Sequence, residues 1–251
     1  MRSVKLFLLP VFILLLSSAF AQSDFKNAQL KYPRVRKAYQ EAGPNVTDLI
    51  TAKNIDSKKL RIYLRAFKTE KKIELWGKNA EDKRYKLITT YKVCRTSGEL
   101  GPKRRQGDYQ IPEGYYHIDR FNPYSSYHLS LGINYPNRSD KILSDKNRPG
   151  DNIFIHGACV TIGCLPITDE YIRELYVFCV EARNAGQKTI PVTIFPTELT
   201  DEKFKKLTAR YSNDSDKTNI WTDLKKGYDI FNREKRLPSI GFLKNGRHLV
   251  R

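Results

Sequence analysis

The chain has 251 residues, 40% of them apolar. That is enough for one domain with a sizeable core plus an appendage, and it excludes a disordered chain. Its 45 Lys and Arg against 27 Asp and Glu give a formal charge of +18, a balance that favours anionic partners.

Residues 1–21 read as an export signal. Arg2 and Lys5 precede the apolar stretch Leu6–Leu16, and Ala19-Phe20-Ala21 offers a small-x-small cleavage site. The apolar part is short for a membrane span, so an uncleaved anchor is the lesser alternative. Export argues against nucleic acid as the partner of the basic charge. It points instead to carboxylate-bearing wall peptides or acidic lipid head groups, beside the plain account of a solvated Lys-rich surface.

Residues 22–58 form a polar N-terminal leader in which Phe25–Glu41 predicts a helix with Val35 and Tyr39 on one face. From Lys59 the period changes to two. Leu60–Phe67 and Lys72–Trp76 predict a hairpin, and Tyr85–Cys94 a further strand with Leu87, Thr89, Tyr91 and Val93 on one face. Cys94 reads as structural. Ser97–Gly114 is a turn-rich loop whose Lys103-Arg104-Arg105 run reads as solvated, with steering of acidic ligands as the alternative. Tyr115–Asp119 and Tyr127–Ile133 predict strands, and 134–149 a long polar loop.

Thr168–Gly186 is the clearest helix. Thr168 caps it, Asp169 and Glu170 suit its positive end, and Ile172, Leu175, Tyr176, Cys179 and Val180 follow helical spacing up to Gly186. Ile190–Phe195 predicts a strand that closes the sheet. Residues 59–195 thus read as a β-rich α+β domain of sandwich or barrel type, and 196–251 as a helical extension. In that extension Lys203–Tyr211 and Trp221–Asn232 predict helices, before an extended Pro238–Phe242.

The chemistry concentrates in Ile153–Asp169. An apolar run ends in His156-Gly157, and seven residues separate His156 from Cys164, itself preceded by Gly163. Acyl transfer from an amide needs a nucleophile, a base and oxyanion donors; a thiol, an imidazole and glycine-freed backbone at Gly157 and Gly163 supply them. No acid lies in the loop to orient the imidazole, which leaves a backbone carbonyl such as that of Gly157. A zinc site at His156, Cys159 and Cys164 lacks a fourth ligand. Cys159 reads as a buried free thiol, with pairing to Cys164 as the alternative. His128 and Ser130, together on one face of a strand, are candidates to line a substrate cleft.

His156-Gly157 … Gly163-Cys164 resembles the catalytic signature of the L,D-transpeptidase (YkuD-type) family. Gly107-Asp108 … Pro112-Glu113-Gly114-Tyr115-Tyr116 resembles its approach strand. Tyr127-His128-Leu129-Ser130-Leu131, Tyr135-Pro136-Asn137 and Trp221 … Leu224 … Gly227-Tyr228-Asp229 … Phe231 resemble its YafK-like branch. The resemblance implies that Cys164 is the nucleophile and His156 the base, with Tyr127, His128 and Ser130 near the substrate. It implies action on diaminopimelate-containing peptidoglycan stem peptides through a thioester, without metal or cofactor. The acyl group would pass to an amine, as a crosslink or an attached protein such as a wall lipoprotein. The sequence departs from the family at large in its shorter His-to-Cys loop, in Ile162 where His is usual, and in Pro166 where Arg is usual. Hydrolysis by the same pair, as in an amidase that releases a wall-attached lipoprotein, is a second expectation. A non-catalytic wall-binding module is a third.

Overall fold

The structure, a computed structural model, describes residues 25–251; the expected export signal lies outside them. The alternating segments at the start of the main domain form a hairpin, β1 (Leu60–Phe67) and β2 (Lys72–Asn79), paired from Leu60↔Asn79 to Phe67↔Lys72. The remaining strands of the main sheet are β3 (Lys86–Lys92), β4 (Gly114–Asn122), β5 (Ser130–Ile133), β6 (Phe154–His156), β7 (Leu165–Pro166) and β8 (Ile190–Phe195). They form one curled sheet in the order β3-β2-β1-β8-β4-β5-β6-β7, which bears out the β-rich α+β expectation. All neighbours are antiparallel except β1–β8 and β6–β7.

β8 does not close the sheet as the sequence predicts. It inserts between β1 and β4, and its nearly continuous apolar run is buried on both faces, as a strand with a parallel neighbour requires.

One face carries the main core. Ile62, Leu64, Leu131, Ile155 and Val192 meet Ile172, Leu175, Tyr176, Cys179 and Val180 of α4 (Asp169–Asn184), all essentially buried. Thr168 caps α4 by accepting from Tyr171 N–H at 3.3 Å. A short helix over residues 25–30 (α1) leads into α2 (Pro33–Thr51), which lies on α4. The predicted helix is thus broken near Tyr32 and runs ten residues further, through Pro44. Pro33 takes the first helical turn, where a missing N–H costs nothing. Val35 joins the core, and Tyr39 Oη donates to Glu181 Oε1 at 2.7 Å.

Three local expectations need correction. In β3 a register shift beside Leu75 and Trp76 skips Ile88, so Ile88 and Tyr91 are buried while Leu87 is exposed. The bulge breaks the period of two that placed Leu87 and Thr89 inward. A Cβ at Gly77 would collide with the Ile88 side chain, so glycine there makes room for it. The strand predicted from Tyr127 begins only at Ser130, because His128 has φ 70°. Within the long polar loop, Asn137 and Asp140 form a reciprocal cap on a short helix, α3 (Arg138–Leu143), that the sequence reading leaves as coil.

The other face of the sheet is covered in part by the C-terminal extension. α5 (Asp201–Arg210) and α6 (Ser215–Glu234) bury Leu207, Ile220, Trp221, Leu224 and Tyr228 against Phe67 and Phe195. The predicted extended segment pairs as β9 (Ile240–Phe242) with β10 (His248–Val250). Glu113 fastens this extension to the sheet. Fully buried, it accepts from Trp221 Nε1–H at 2.6 Å and from Gly101 N–H at 2.8 Å, and pairs with Lys68 at 2.8 Å. Trp221→Phe leaves a buried carboxylate oxygen without its donor. The expected cost is about 1–3 kcal/mol, read as a lower urea midpoint at unchanged slope.

Candidate active site

β6 and β7 run side by side, Ile155↔Leu165 and His156↔Pro166, so the seven residues after His156 return Cys164 to a place beside Phe154. Phe154, His156 and Cys164 fall on the sheet face opposite α4 by their alternation with buried Ile155 and Leu165. His156 and Cys164 line one hollow of about 320 Å³ with Tyr127, Ser130, Asn152 and Ile162. They sit diagonally, two strand positions or roughly 6.6 Å apart along the ladder, and no hydrogen bond joins sulfur to imidazole.

The imidazole is 2% exposed and held on two sides. Nδ1 lies 2.5 Å from Gly157 O, the carbonyl the sequence suggests as its orienter, and the Tyr127 ring lies over it with centroids 4.7 Å apart. A carbonyl only accepts, so Nδ1 carries the proton and Nε2 is left as the basic nitrogen. Burial pulls the His156 pKa below its usual value against the opposing pull of that carbonyl, so the ring is neutral near pH 7.

Burial likewise pushes the Cys164 thiol up, against the Phe154 N–H and the charge of Lys103. Sγ is 3.7 Å from Asn152 O. Helix α4, which follows Cys164, starts at Asp169 and uses that side chain to accept from Ala158 N–H at 2.8 Å. The resting pair is therefore a neutral thiol and a neutral base.

The two glycines shape the loop in a different way from the one expected. Gly157 N–H donates to Leu129 O at 3.3 Å and Gly163 N–H to Thr161 Oγ1 at 3.1 Å, so both donors are engaged. The N–H of Cys164 itself has no acceptor among the described residues. Gly163 has φ 136°, which favours glycine, and a Cβ there would press on Gln110 O at 3.1 Å. At Gly157 a Cβ would come within 2.5 Å of Asp169 Oδ1 and 2.8 Å of Tyr127 O. Gly157→Ala is expected to destabilise by about 1–3 kcal/mol in thermal unfolding, through overpacking beside His156.

Of the predicted cleft residues, Tyr127 and Ser130 face the hollow. Ser130 pairs with His156 across β5–β6, and its buried Oγ has no partner. His128 does not share that face. Its left-handed backbone turns it toward Asp169 (4.0 Å) and Arg173 (3.4 Å), outside the hollow. Of the basic run, Arg105 is exposed as expected, but Lys103 and Arg104 are not solvated. Lys103 is buried on Asp108 at 2.5 Å, and Arg104 makes two hydrogen bonds to Asp216. Cys159 is neither buried nor free. It is exposed and disulfide-bonded to Cys94, which removes it from any zinc set and leaves Cys164 and Cys179 as the free thiols. Asn152, with φ 54°, and Asn122 also line the hollow. In the sequence they stand in turn-rich stretches with nothing to mark them.

The sequence model of the YkuD L,D-transpeptidase catalytic domain matches residues 61–194. YafK of Escherichia coli (strain K12), a candidate L,D-transpeptidase, is 38% identical over 191 residues, 75% of this chain and 73% of its own length. Among solved structures, the helical cell shape determining protein Pgp2 from Campylobacter jejuni aligns with TM-score 0.44 and 18% identity, over 74% of this chain and 73% of that one. Bd1075 from Bdellovibrio bacteriovorus aligns with TM-score 0.38 and 23% identity, over 68% and 62%. On the family match and the YafK identity, the chain belongs to the YkuD L,D-transpeptidase catalytic domain family.

Proposed function

We propose that this protein is an exported cysteine L,D-transpeptidase acting on peptidoglycan stem peptides. Cys164 attacks a carbonyl of the diaminopimelate-bearing stem while His156 Nε2 takes the thiol proton and then delivers it to the departing amine. The resulting thioester passes to an acceptor amine, on another stem or on a wall-attached protein. The observation that carries this reading is the fixing of Nδ1 on Gly157 O, which presents the basic nitrogen to the hollow that Cys164 lines. The Cys94–Cys159 disulfide supports an oxidising compartment, as the export signal would provide.

Hydrolysis is a second reading, favoured by the open rim. Ile162 is 74% exposed and Cys164 is only half-buried, so water has access to a thioester. Mass spectrometry of purified protein with diaminopimelate-containing tetrapeptides separates the two. Crosslinked products with an acyl adduct on Cys164 support transfer, trimmed products with free amine support hydrolysis, and the absence of both adduct and products would sink the enzyme reading.

A further inference from the structure

Behind two walls of the hollow beside Cys164, Phe154 and Asn152, stands a cation that the sequence pattern does not mark. Arg120 of β4 stands opposite Gly132 of β5, which in turn stands opposite Phe154 of β6. A Cβ on Gly132 would lie 2.8 Å from Arg120 Nε and 3.0 Å from its Cβ. Glycine at this place lets the Arg120 side chain lie flat across β5 toward β6. Its guanidinium carbon ends 4.8 Å from the Phe154 ring centroid, and its NH1 donates to Asn152 Oδ1 at 2.8 Å. Phe154 and Asn152 are walls of the hollow, and the Asn152 carbonyl is the group nearest the Cys164 sulfur in hydrogen-bond terms.

The neighbouring cations are engaged elsewhere. Lys103 is held by Asp108 and Arg105 O, Arg34 by the carbonyls of Ser125 and His128, and Arg173 by Glu41. Arg120 bonds Asp119 Oδ1 through Nε at 3.0 Å and Asn152 through NH1, while NH2 has no partner among the described residues. Two of its nitrogens are thus anchored, one is free, and one face of its plane is shielded from water by an aromatic ring. That is an arrangement suited to a planar anion, because the fork is pre-oriented and its contact is partly desolvated.

We propose that Arg120 is the carboxylate-binding residue at the edge of this hollow: it holds a free carboxylate lying within about one residue, roughly 3.4 Å of extended chain, of the carbonyl that Cys164 attacks. The substrate it selects is an acyl donor with an acid at that position, whether the terminal carboxylate of the departing residue or one on the side chain of the residue attacked. This assignment rests on Cys164 being the nucleophile, and its role is specificity, not bond making.

The test uses the whole protein and a pair of thiol reagents, iodoacetyl-glycine and iodoacetyl-glycinamide, which differ only in acid against amide. Wild-type protein is expected to be alkylated at Cys164 faster by the acid. Arg120→Gln is expected to lower the acid-to-amide ratio about tenfold, with Arg120→Lys intermediate because it keeps charge but loses the fork. Lys206→Gln, a charge removed on exposed α5, is the control and should leave the ratio unchanged. An unchanged ratio in Arg120→Gln, or an equal fall in Lys206→Gln, overturns the proposal.

A second arm compares stem tetrapeptides ending in carboxylate or carboxamide, and diaminopimelate with lysine at the attacked residue. Arg120→Gln should lose about 10–100-fold in kcat/KM, mostly through KM, on the acid that matters and almost nothing on its neutral counterpart. Turnover by wild type with no preference for either acid overturns Arg120 and leaves the transpeptidase reading standing. A fall in the alkylation ratio with no peptide turnover at all sinks the transpeptidase reading and leaves Arg120 as the anion contact of a reactive thiol.

Discussion

Cys164→Ala is expected to abolish product formation from stem peptides, a loss of about 10⁴–10⁶ in kcat, while changing stability by no more than about 1 kcal/mol. The separation is possible because Cys164 is half-buried at the mouth of a hollow and not part of the core, unlike Cys179, which is fully buried on α4. Cys164→Ser keeps the size and a proton to remove, but the alcohol ionises far less readily, so activity should stay near the Ala level. His156→Ala should cost about 10²–10⁴, the usual worth of a positioned base.

The pH profile carries more information than either substitution. Burial lowers the pKa of His156 and raises that of Cys164, so each group is held in its neutral form across the neutral range. As pH falls through the depressed imidazole pKa the base is protonated and kcat/KM declines, so the acid limb should lie below 6.5. The thiol, pushed up by burial, stays protonated at pH 7. Alkylation of Cys164 by a neutral reagent should therefore climb about tenfold per pH unit between 6 and 8.5. A plateau across that range would mean a standing thiolate–imidazolium pair. It would contradict the neutral resting state in which His156 removes the proton only as attack proceeds.

Much of this arrangement is legible in the residues because it is local. The eight-residue step from His156 to Cys164, the two glycines and the cap at Thr168 all lie within one short stretch. The periodicity of α4 and of the β1–β2 hairpin is likewise local. What the sequence hides is carried across strands. Arg120 reaches Phe154 and Asn152 only because β4, β5 and β6 are neighbours and Gly132 between them has no side chain. Lys103, Arg104 and Asp108 look like a solvated basic loop until Asp216 on α6 and the buried Tyr135 are brought over them. His128 looks like a strand residue because its neighbours alternate, and one left-handed backbone angle removes it from the strand. The Ile88 bulge is a single skipped residue, below what a period of two can register.

The disulfide belongs to the same class, since 65 residues separate Cys94 from Cys159. Its placement ties the first half of the 157–164 loop to the chain leaving β3, where Cys94 N–H also donates to Pro166 O at 3.0 Å. The loop between His156 and Cys164 is thereby held at both strand ends and at Cys159 between them. A closed loop of that length constrains the unfolded chain by about 4 kcal/mol on chain-entropy grounds, so the double variant Cys94→Ala/Cys159→Ala should melt about 10 °C lower. Assayed well below that temperature, it should still lose about tenfold or more in kcat/KM, because looser placement of Cys164 against His156 is costly even at small displacement. The single variant Cys94→Ala separates tethering from stability. It frees Cys159 five residues before Cys164, and under oxidising conditions the two can pair and block the Cys164 thiol. Cys94→Ala should therefore be less active than the double variant without reductant, and rise to the double variant's level when reductant is added. Equal activity of the two variants under both conditions would show that Cys94 does not keep Cys159 away from the reacting thiol.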